Sequence, residues 1–306
     1  MKQSTRHILM IRPVGSSFNP ETALSNPFQQ ITSWDPSLAL RRTQEEFDSF
    51  VAALRAKGVE VEVVEDTLVP GKPDAVFPNN WVSFHEDGTV ILYPMMAPSR
   101  RRERRVDVIE RLRKKFVVRE VIDLSRHEKD GKYLEGTGSI VFDHVNQVAY
   151  ACGSPRTDKD LFFQLCQLLK YRPVYFHAYD EQGKEIYHTN VMMCVGVDFA
   201  IVCLASITDL ADKKNVIDNL RDTDHAIIEI TMDQLHHFAG NMLVLDTQDG
   251  PSLLVASRQA VDSLTQEQKQ SLSSYAELTA LPISTIEMLG GGSARCMMAE
   301  IFLPKR

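Results

Sequence analysis

The sequence predicts an α/β fold built as a five-bladed, pseudo-symmetric propeller, its ring closed by strands from the two chain ends. Three observations predict it. Strand-like and helix-like runs alternate along the whole chain, and they group into units that read hairpin, helix, strand. Asn80, Glu135, His188, Asn241 and Cys296 occupy equivalent points in the hairpins and follow one another at separations of 55, 53, 53 and 55. So regular a period marks a repeat architecture with one unit per blade. In a closed ring, equivalent positions converge on the axis, so residues far apart in sequence would meet there.

Taken in order, the run His7–Arg12 reads as the first strand. Residues 43–57 read as a helix, because Phe47, Phe50, Val51 and Leu54 recur three to four apart and Gly58 comes next as a stop. Residues 59–64 read as a strand. The first complete unit has strands at 75–84 and 89–93, a helix at 100–115 and a strand at 117–124. The second has strands at 140–142 and 148–152, a helix at 158–169 and a strand at 172–179. A hairpin over 187–204, a helix over 213–220 and a strand over 225–231 make the third. In the fourth, a hairpin over 238–256 precedes a helix over 265–278, opened by the capping box Thr265-Gln266-Glu267-Gln268, and a strand over 279–284. The fifth needs a C-terminal strand over 296–303 to pair with His7–Arg12. Asp35-Pro36 and Lys72-Pro73 read as turns. No low-complexity linker interrupts the pattern, so residues 1–306 read as one domain.

Composition bounds the function. Of 306 residues 43% are hydrophobic, enough for a large core, and the net charge of -7 argues against nucleic acid or an anionic membrane as partner. The apolar run His7–Ile11 is too short for a signal peptide, and no apolar stretch approaches the roughly 20 residues of a membrane span. The five cysteines are odd in number and form no CxxC pair; they read as reduced thiols of a soluble cytoplasmic protein, with Cys152, Cys166, Cys194 and Cys203 in the core. No metal-ligand spacing, Walker loop or dinucleotide fingerprint is present, so neither metal nor cofactor is expected. The expected partner is a small molecule, and nothing excludes a homo-oligomer.

Cys296 stands apart from the other thiols. It closes Gly290-Gly291-Gly292-Ser293-Ala294-Arg295-Cys296, and glycines let a backbone approach a ligand closely. His188, in Tyr187-His188-Thr189-Asn190, falls at an equivalent repeat position, as does Glu135 in Leu134-Glu135-Gly136-Thr137-Gly138. A thiolate beside a histidine is a nucleophile with its proton carrier. The carboxylate of Glu135 would accept from the N–H groups of a planar, nitrogen-rich head group.

These segments resemble those of the guanidino-group-modifying superfamily, which comprises arginine deiminases, dimethylarginine dimethylaminohydrolases and amidinotransferases. The resemblance covers nearly the whole chain and implies a five-bladed α/β propeller with a Cys–His–carboxylate site. It implies Cys296 as nucleophile, His188 as general acid/base and Glu135 as the carboxylate, although the family's second Gly-Asp of that segment is replaced by Thr137-Gly138. Pro98-Ser99-Arg100-Arg101 and Ser154-Pro155-Arg156-Thr157 are similar to two dimethylaminohydrolase segments and imply Arg100 and Arg156 as holders of a substrate carboxylate. Asp74 falls where a residue near the α-amino group is implied. Phe77 and Asn241, in Phe77-Pro78-Asn79-Asn80 and Phe238-Ala239-Gly240-Asn241, complete the candidate substrate-binding set.

One departure bears on the substrate. Where the family's F-x-x-D segment carries an aspartate for the guanidinium, this chain carries Asn80. A guanidinium has only donors, whereas a ureido group is neutral and offers a carbonyl oxygen to the asparagine amide. The departure favours citrulline over arginine or a methylated arginine. Phe18-Asn19-Pro20-Glu21-Thr22 and the segments around Asn80, Glu135 and Asn241 also resemble the bacterial citrulline utilization hydrolases. The expected reaction is citrulline to ornithine, ammonia and carbon dioxide through a covalent Cys296 intermediate. Arginine deimination, amidino transfer and non-catalytic amino-acid binding are the alternatives. Residues 18–35 are expected to cap the site.

Overall fold

A computed structural model describes residues 2–15, 18–23 and 25–306. β1 (His7–Arg12) lies parallel to β2 (Glu60–Glu65), with the helix Pro36–Ala56 between them in sequence. β3 (Val82–Phe84) pairs antiparallel with β4 (Thr89–Leu92), which runs parallel to β5 (Glu120–Asp123). The same order recurs in β6 (Val141–Asp143), β7 (Val148–Cys152) and β8 (Arg172–Phe176). It recurs in β9 (Met193–Val195), β10 (Phe199–Val202) and β11 (Ala226–Glu229). It recurs again in β12 (Leu243–Leu245), β13 (Leu253–Ser257) and β14 (Glu277–Leu281). β15 (Ala299–Glu300) then joins β1 antiparallel, with Ile8 opposite Glu300 and Leu9 opposite Ala299.

The described residues form five three-stranded sheets, four of them a hairpin followed by a helix and a parallel strand, as the repeat predicts. The chain ends share one sheet, as expected for the fifth unit. Middle strands are apolar runs because both their faces are covered: every residue of β7 is fully buried, as are Leu254, Val255, Ala256 and Ser257 of β13.

Element boundaries differ from expectation for identifiable reasons. Asp35-Pro36 is the start of a helix, not a turn: the Asp35 carboxylate accepts from the Ser37 N–H at 2.9 Å, and Pro36 occupies the first turn, where its missing donor costs nothing. Only Val82–Phe84 of the strand expected at 75–84 is extended, because Pro78–Asn80 form a 3₁₀ turn. The helix expected at 100–115 is two pieces, Pro98–Arg101 and Val106–Arg113. Helix Gln266–Ser273 ends early, and β14 already begins at Glu277.

Short helical turns lead into three of the hairpins, Pro78–Asn80, Gly136–Ser139 and Thr189–Met192, and a fourth, Ala294–Met297, leads into β15. Asn80 and Cys296 lie on these turns, and Glu135 and His188 are the residues that open theirs. That is how the repeat spacing becomes a shared site.

Candidate active site

Cys296 is buried and lines a pocket of about 270 Å³ of empty space with His188, Asn80, Arg100, Arg156, Asp74 and Phe77. Seven of the nine candidate residues therefore meet around one cavity. Its sulfur receives the Asn241 side-chain amide at 3.3 Å and that of Asn190 at 3.5 Å. The Arg295 backbone N–H donates to Asn241 Oδ1 at 3.0 Å, which fixes the amide with its NH₂ toward the sulfur. Asn241 thus stands behind the thiol and does not line the pocket. The triple glycine has a steric reason. A Cβ on Gly290 would come within 2.7 Å of the Phe77 ring, one on Gly292 within 2.9 Å, and Gly291 has φ +63°.

His188 Nε2 lies 2.9 Å from Glu135 Oε2. Burial opposes charge on Glu135, but Arg156, His188 and Arg100 outweigh it and hold its pKa at about 2. An ionised carboxylate only accepts, so Nε2 of His188 carries the hydrogen and Nδ1 keeps a bare lone pair. Burial lowers the His188 pKa to about 4 despite Glu135, so the imidazole is neutral at pH 7. Gly138 is required beside it: a Cβ there would sit 2.7 Å from His188 Nδ1 and 2.3 Å from Asn80 Nδ2.

The sequence reading has Glu135 taking substrate N–H groups. Its oxygens are instead engaged by the protein, Oε2 by His188 and Oε1 by the Met96 N–H at 3.0 Å. It also has Arg100 holding a substrate carboxylate. The Arg100 fork is instead closed on Glu103, with Nε to Oε1 at 3.0 Å and Nη2 to Oε2 at 2.9 Å, while Nη1 donates to Asn80 Oδ1 at 2.8 Å. Burial works against charge on Arg100, but Glu103, Asp74 and Glu135 raise its pKa. An arginine has no acceptor, so this contact turns the Asn80 NH₂ away from it. Asn80 Nδ2 is buried and finds no hydrogen-bond partner among the described residues, and the same is true of Asp74 Oδ1 and Arg156 Nε. Arg156 lies over the Tyr187 ring at 4.9 Å and donates through Nη2 to the Ser25 hydroxyl at 2.5 Å.

Comparison with known proteins decides the family. The family model for eukaryotic N,N-dimethylarginine dimethylhydrolase matches residues 12–303. The chain belongs to this family. With it, the chain joins the guanidino-modifying superfamily of dimethylarginine dimethylaminohydrolases and arginine deiminases, hydrolases acting on guanidino C–N bonds. No curated protein matches the chain in a sequence search.

Among solved structures, the N-terminal domain of ArgZ, a cyanobacterial arginine dihydrolase, bound to substrate in a cysteine-to-serine variant, superposes with TM-score 0.76 at 17% identity, covering 97% of this chain and 98% of that one. Unliganded AgrE gives TM-score 0.76 at 18% identity over 98% of this chain and 40% of its own. The dimethylaminohydrolase of Pseudomonas aeruginosa, in complex with citrulline, gives 0.62 at 15% over 97% and 99%. The chain thus spans less than half of AgrE, and these likenesses concern the fold.

Several residues at this family site escape sequence reasoning. Glu103 is the chief one; its spacing of three from Arg100 is visible in the sequence, but that both are buried is not. Thr22, Asn26 and Tyr187 also line the pocket. Of residues 18–35, Thr22 and Asn26 line the pocket; Asn19 Nδ2 donates to Asp74 Oδ2 at 2.8 Å, and Asn26 Nδ2 to the Gly291 carbonyl at 3.0 Å. Leu24 falls outside the described residues. No group of three or more metal-ligating side chains occurs among the described residues, and none of their helices is long and apolar enough to cross a membrane.

Proposed function

We propose that the protein hydrolyses the ureido C–N bond of citrulline, giving ornithine, ammonia and carbon dioxide. The observation that carries this reading is the buried, unpartnered NH₂ of Asn80, oriented by Arg100 and facing a pocket that also holds Cys296 and His188. A buried donor without a partner costs about 1–3 kcal/mol. A ureido oxygen supplies the partner; a guanidinium, all donors, does not.

The chemistry is built from the remaining contacts. Neutral His188 accepts the Cys296 thiol proton at Nδ1, and the thiolate is received by the amides of Asn241 and Asn190. The sulfur attacks the ureido carbon, and Asn80 donates to the oxygen as charge develops there. The imidazolium, steadied by Glu135, protonates the departing side-chain nitrogen, and ornithine leaves. His188 then takes a proton from water as it attacks the S-carbamoyl group, and the released carbamate breaks down to ammonia and carbon dioxide. Asp74 Oδ1 and Arg156 Nε are the free acceptor and donor for the α-ammonium and α-carboxylate.

A second reading keeps the same residues and begins from arginine. It is favoured by the fold shared with ArgZ, an arginine dihydrolase, and by the unpaired carboxylate oxygen of Asp74. Incubation with citrulline, arginine and dimethylarginine, with products identified by mass spectrometry, separates the two. Ornithine from citrulline with arginine untouched is the expected result. Ornithine or citrulline from arginine establishes the second reading.

A further inference from the structure

The loop that carries Cys296 is tied to a buried carboxylate outside the pocket. Glu287 lies on the helix Ser284–Gly290, which runs into the triple glycine. Its Oε1 accepts from the Ser293 hydroxyl at 2.5 Å, and its Oε2 from the Gln259 side-chain amide at 2.5 Å. Its backbone carbonyl accepts from the Gly291 N–H at 2.8 Å. Ser293 is fully buried, and its own carbonyl accepts the Cys296 N–H at 3.0 Å. A chain of three contacts therefore runs from Gln259, just past the end of β13, through Glu287 and Ser293 to the nucleophile's backbone.

The other end of the helix is tied as well. Glu46, on the helix Pro36–Ala56, accepts from the backbone N–H groups of Thr285 and Ile286 at 2.9 and 3.0 Å. The glycines that admit Phe77 leave the loop without conformational preference of its own, since glycine is the most permissive residue. Something else must define where the sulfur points. Burial works against the Glu287 carboxylate and raises its pKa to about 7, so its place in the interior is one that needs a reason. None of its side-chain partners, Ser293, Ser257 and Gln259, lines the pocket.

We propose that Glu287 is a positioning residue of the reaction, which sets the orientation of Cys296 by holding the Ser293 hydroxyl. The assignment rests on Cys296 being the nucleophile. Misplacement of a reacting atom by about 1 Å can cost on the order of a hundredfold in rate, and loss of one anchor of several is expected to cost about tenfold.

The test uses Ser293→Ala, Glu287→Ala, Glu287→Gln and the Ser293→Ala/Glu287→Ala double variant in the full chain. Two quantities are read for each: kcat and KM on whichever of citrulline and arginine turns over, and the rate of Cys296 alkylation by iodoacetamide, located by peptide mass spectrometry. The expected result is kcat about tenfold lower in each alanine variant with KM within about twofold, the double variant no worse than the poorer single, and partial recovery in Glu287→Gln. Alkylation of Cys296 should change in the same order. Wild-type kcat and wild-type alkylation in Ser293→Ala would overturn the proposal, as would losses that simply multiply in the double variant. Should Glu287→Ala not fold, Ser293→Ala decides alone. Alkylation reads the loop even if no substrate turns over, so failure of the functional reading is distinguishable from failure of this one.

Discussion

The two walls of the pocket are built on opposite principles. On the nucleophile side, the loop from Gly290 to Cys296 is tied by hydrogen bonds at Gly291, Ser293, Arg295 and Cys296, and two asparagine amides meet the sulfur. On the facing side, Asn80, Asp74 and Arg156 each hold one buried polar atom with no partner among the described residues. Buried polar groups are normally satisfied, so a cluster of exceptions calls for an explanation. The difference teaches how the site divides its labour. Groups that must be aimed are held by several protein hydrogen bonds, although Asn190 Oδ1 behind the sulfur is itself unpartnered among the described residues, and groups that must grip are left for the ligand to satisfy.

The largest effects should come from the saturated wall. Cys296→Ala should lower turnover by on the order of 10⁵–10⁶-fold while calorimetry still detects substrate binding; turnover within tenfold of wild type would end the nucleophile assignment. His188→Ala should cost about 10²–10⁴-fold in kcat, the usual contribution of a general acid/base. The pH profile gives this its sign. His188 must be neutral to accept the thiol proton, and burial lowers its pKa to about 4, so kcat/KM should hold as pH falls through 6 and decline only near 4. Because the folded protein binds fewer protons there than the unfolded chain, stability should fall with pH between the ordinary histidine pKa and about 4. A decline in activity centred at the ordinary histidine pKa would show that the burial argument fails.

How much of this is legible in the sequence tracks the same division. The aimed residues Cys296, His188 and Glu135 sit at equivalent points of a repeat, as does Asn80 of the grip, and a repeat is written in spacing, so the sequence displays these positions. The five sheets and the pairing of the chain ends come from the same signal. The grip is less legible because it depends on which atoms other residues leave free. Nothing in the sequence says that Glu103 closes on the Arg100 fork, or that Arg100 in turn orients Asn80. Residues three apart can pair on any helix face, and it is the burial of both groups, which apolar periodicity does not encode, that closes the fork on Glu103. Asp35-Pro36 misleads for a related reason: the same dipeptide opens a turn or a helix, and the residues C-terminal to it decide between them.

The gripping wall should give smaller effects, mainly in KM and selectivity. Asp74→Asn removes an acceptor charge and should raise KM about ten- to hundredfold with a lesser change in kcat, the range for a hydrogen bond to a charged group. A change confined to kcat would place Asp74 at the reacting carbon and not at the substrate's far end. Asn80→Asp is more diagnostic, although its effect on any one substrate is about tenfold, the scale of one hydrogen bond. It replaces the free donor with an acceptor beside Glu135 and Arg100, so citrulline turnover should fall and arginine should bind more tightly. Equal losses on both substrates would show that Asn80 serves only to hold Arg100.

The smallest effect tests whether the division extends to the thiols. Cys152 is fully buried in β7, and burial pushes its pKa up to about 12. The Thr189 hydroxyl, next to His188 in the chain, accepts from the Cys152 backbone N–H at 2.8 Å and donates to the Ser139 carbonyl at 2.6 Å. It also lies 3.4 Å from the Cys152 sulfur. Cys152 is therefore in contact with the turn that carries His188, yet its sulfur lacks the two amide donors that meet Cys296. Cys152→Ala should cost about 1 kcal/mol of stability, as small core truncations ordinarily do, with kcat and KM unchanged and labelling by iodoacetamide still confined to Cys296. A tenfold loss of kcat at unchanged stability would mean that the turn holding His188 is aimed from Cys152 as well, and the saturated wall would then extend one sheet further than the contacts to the sulfur of Cys296 indicate.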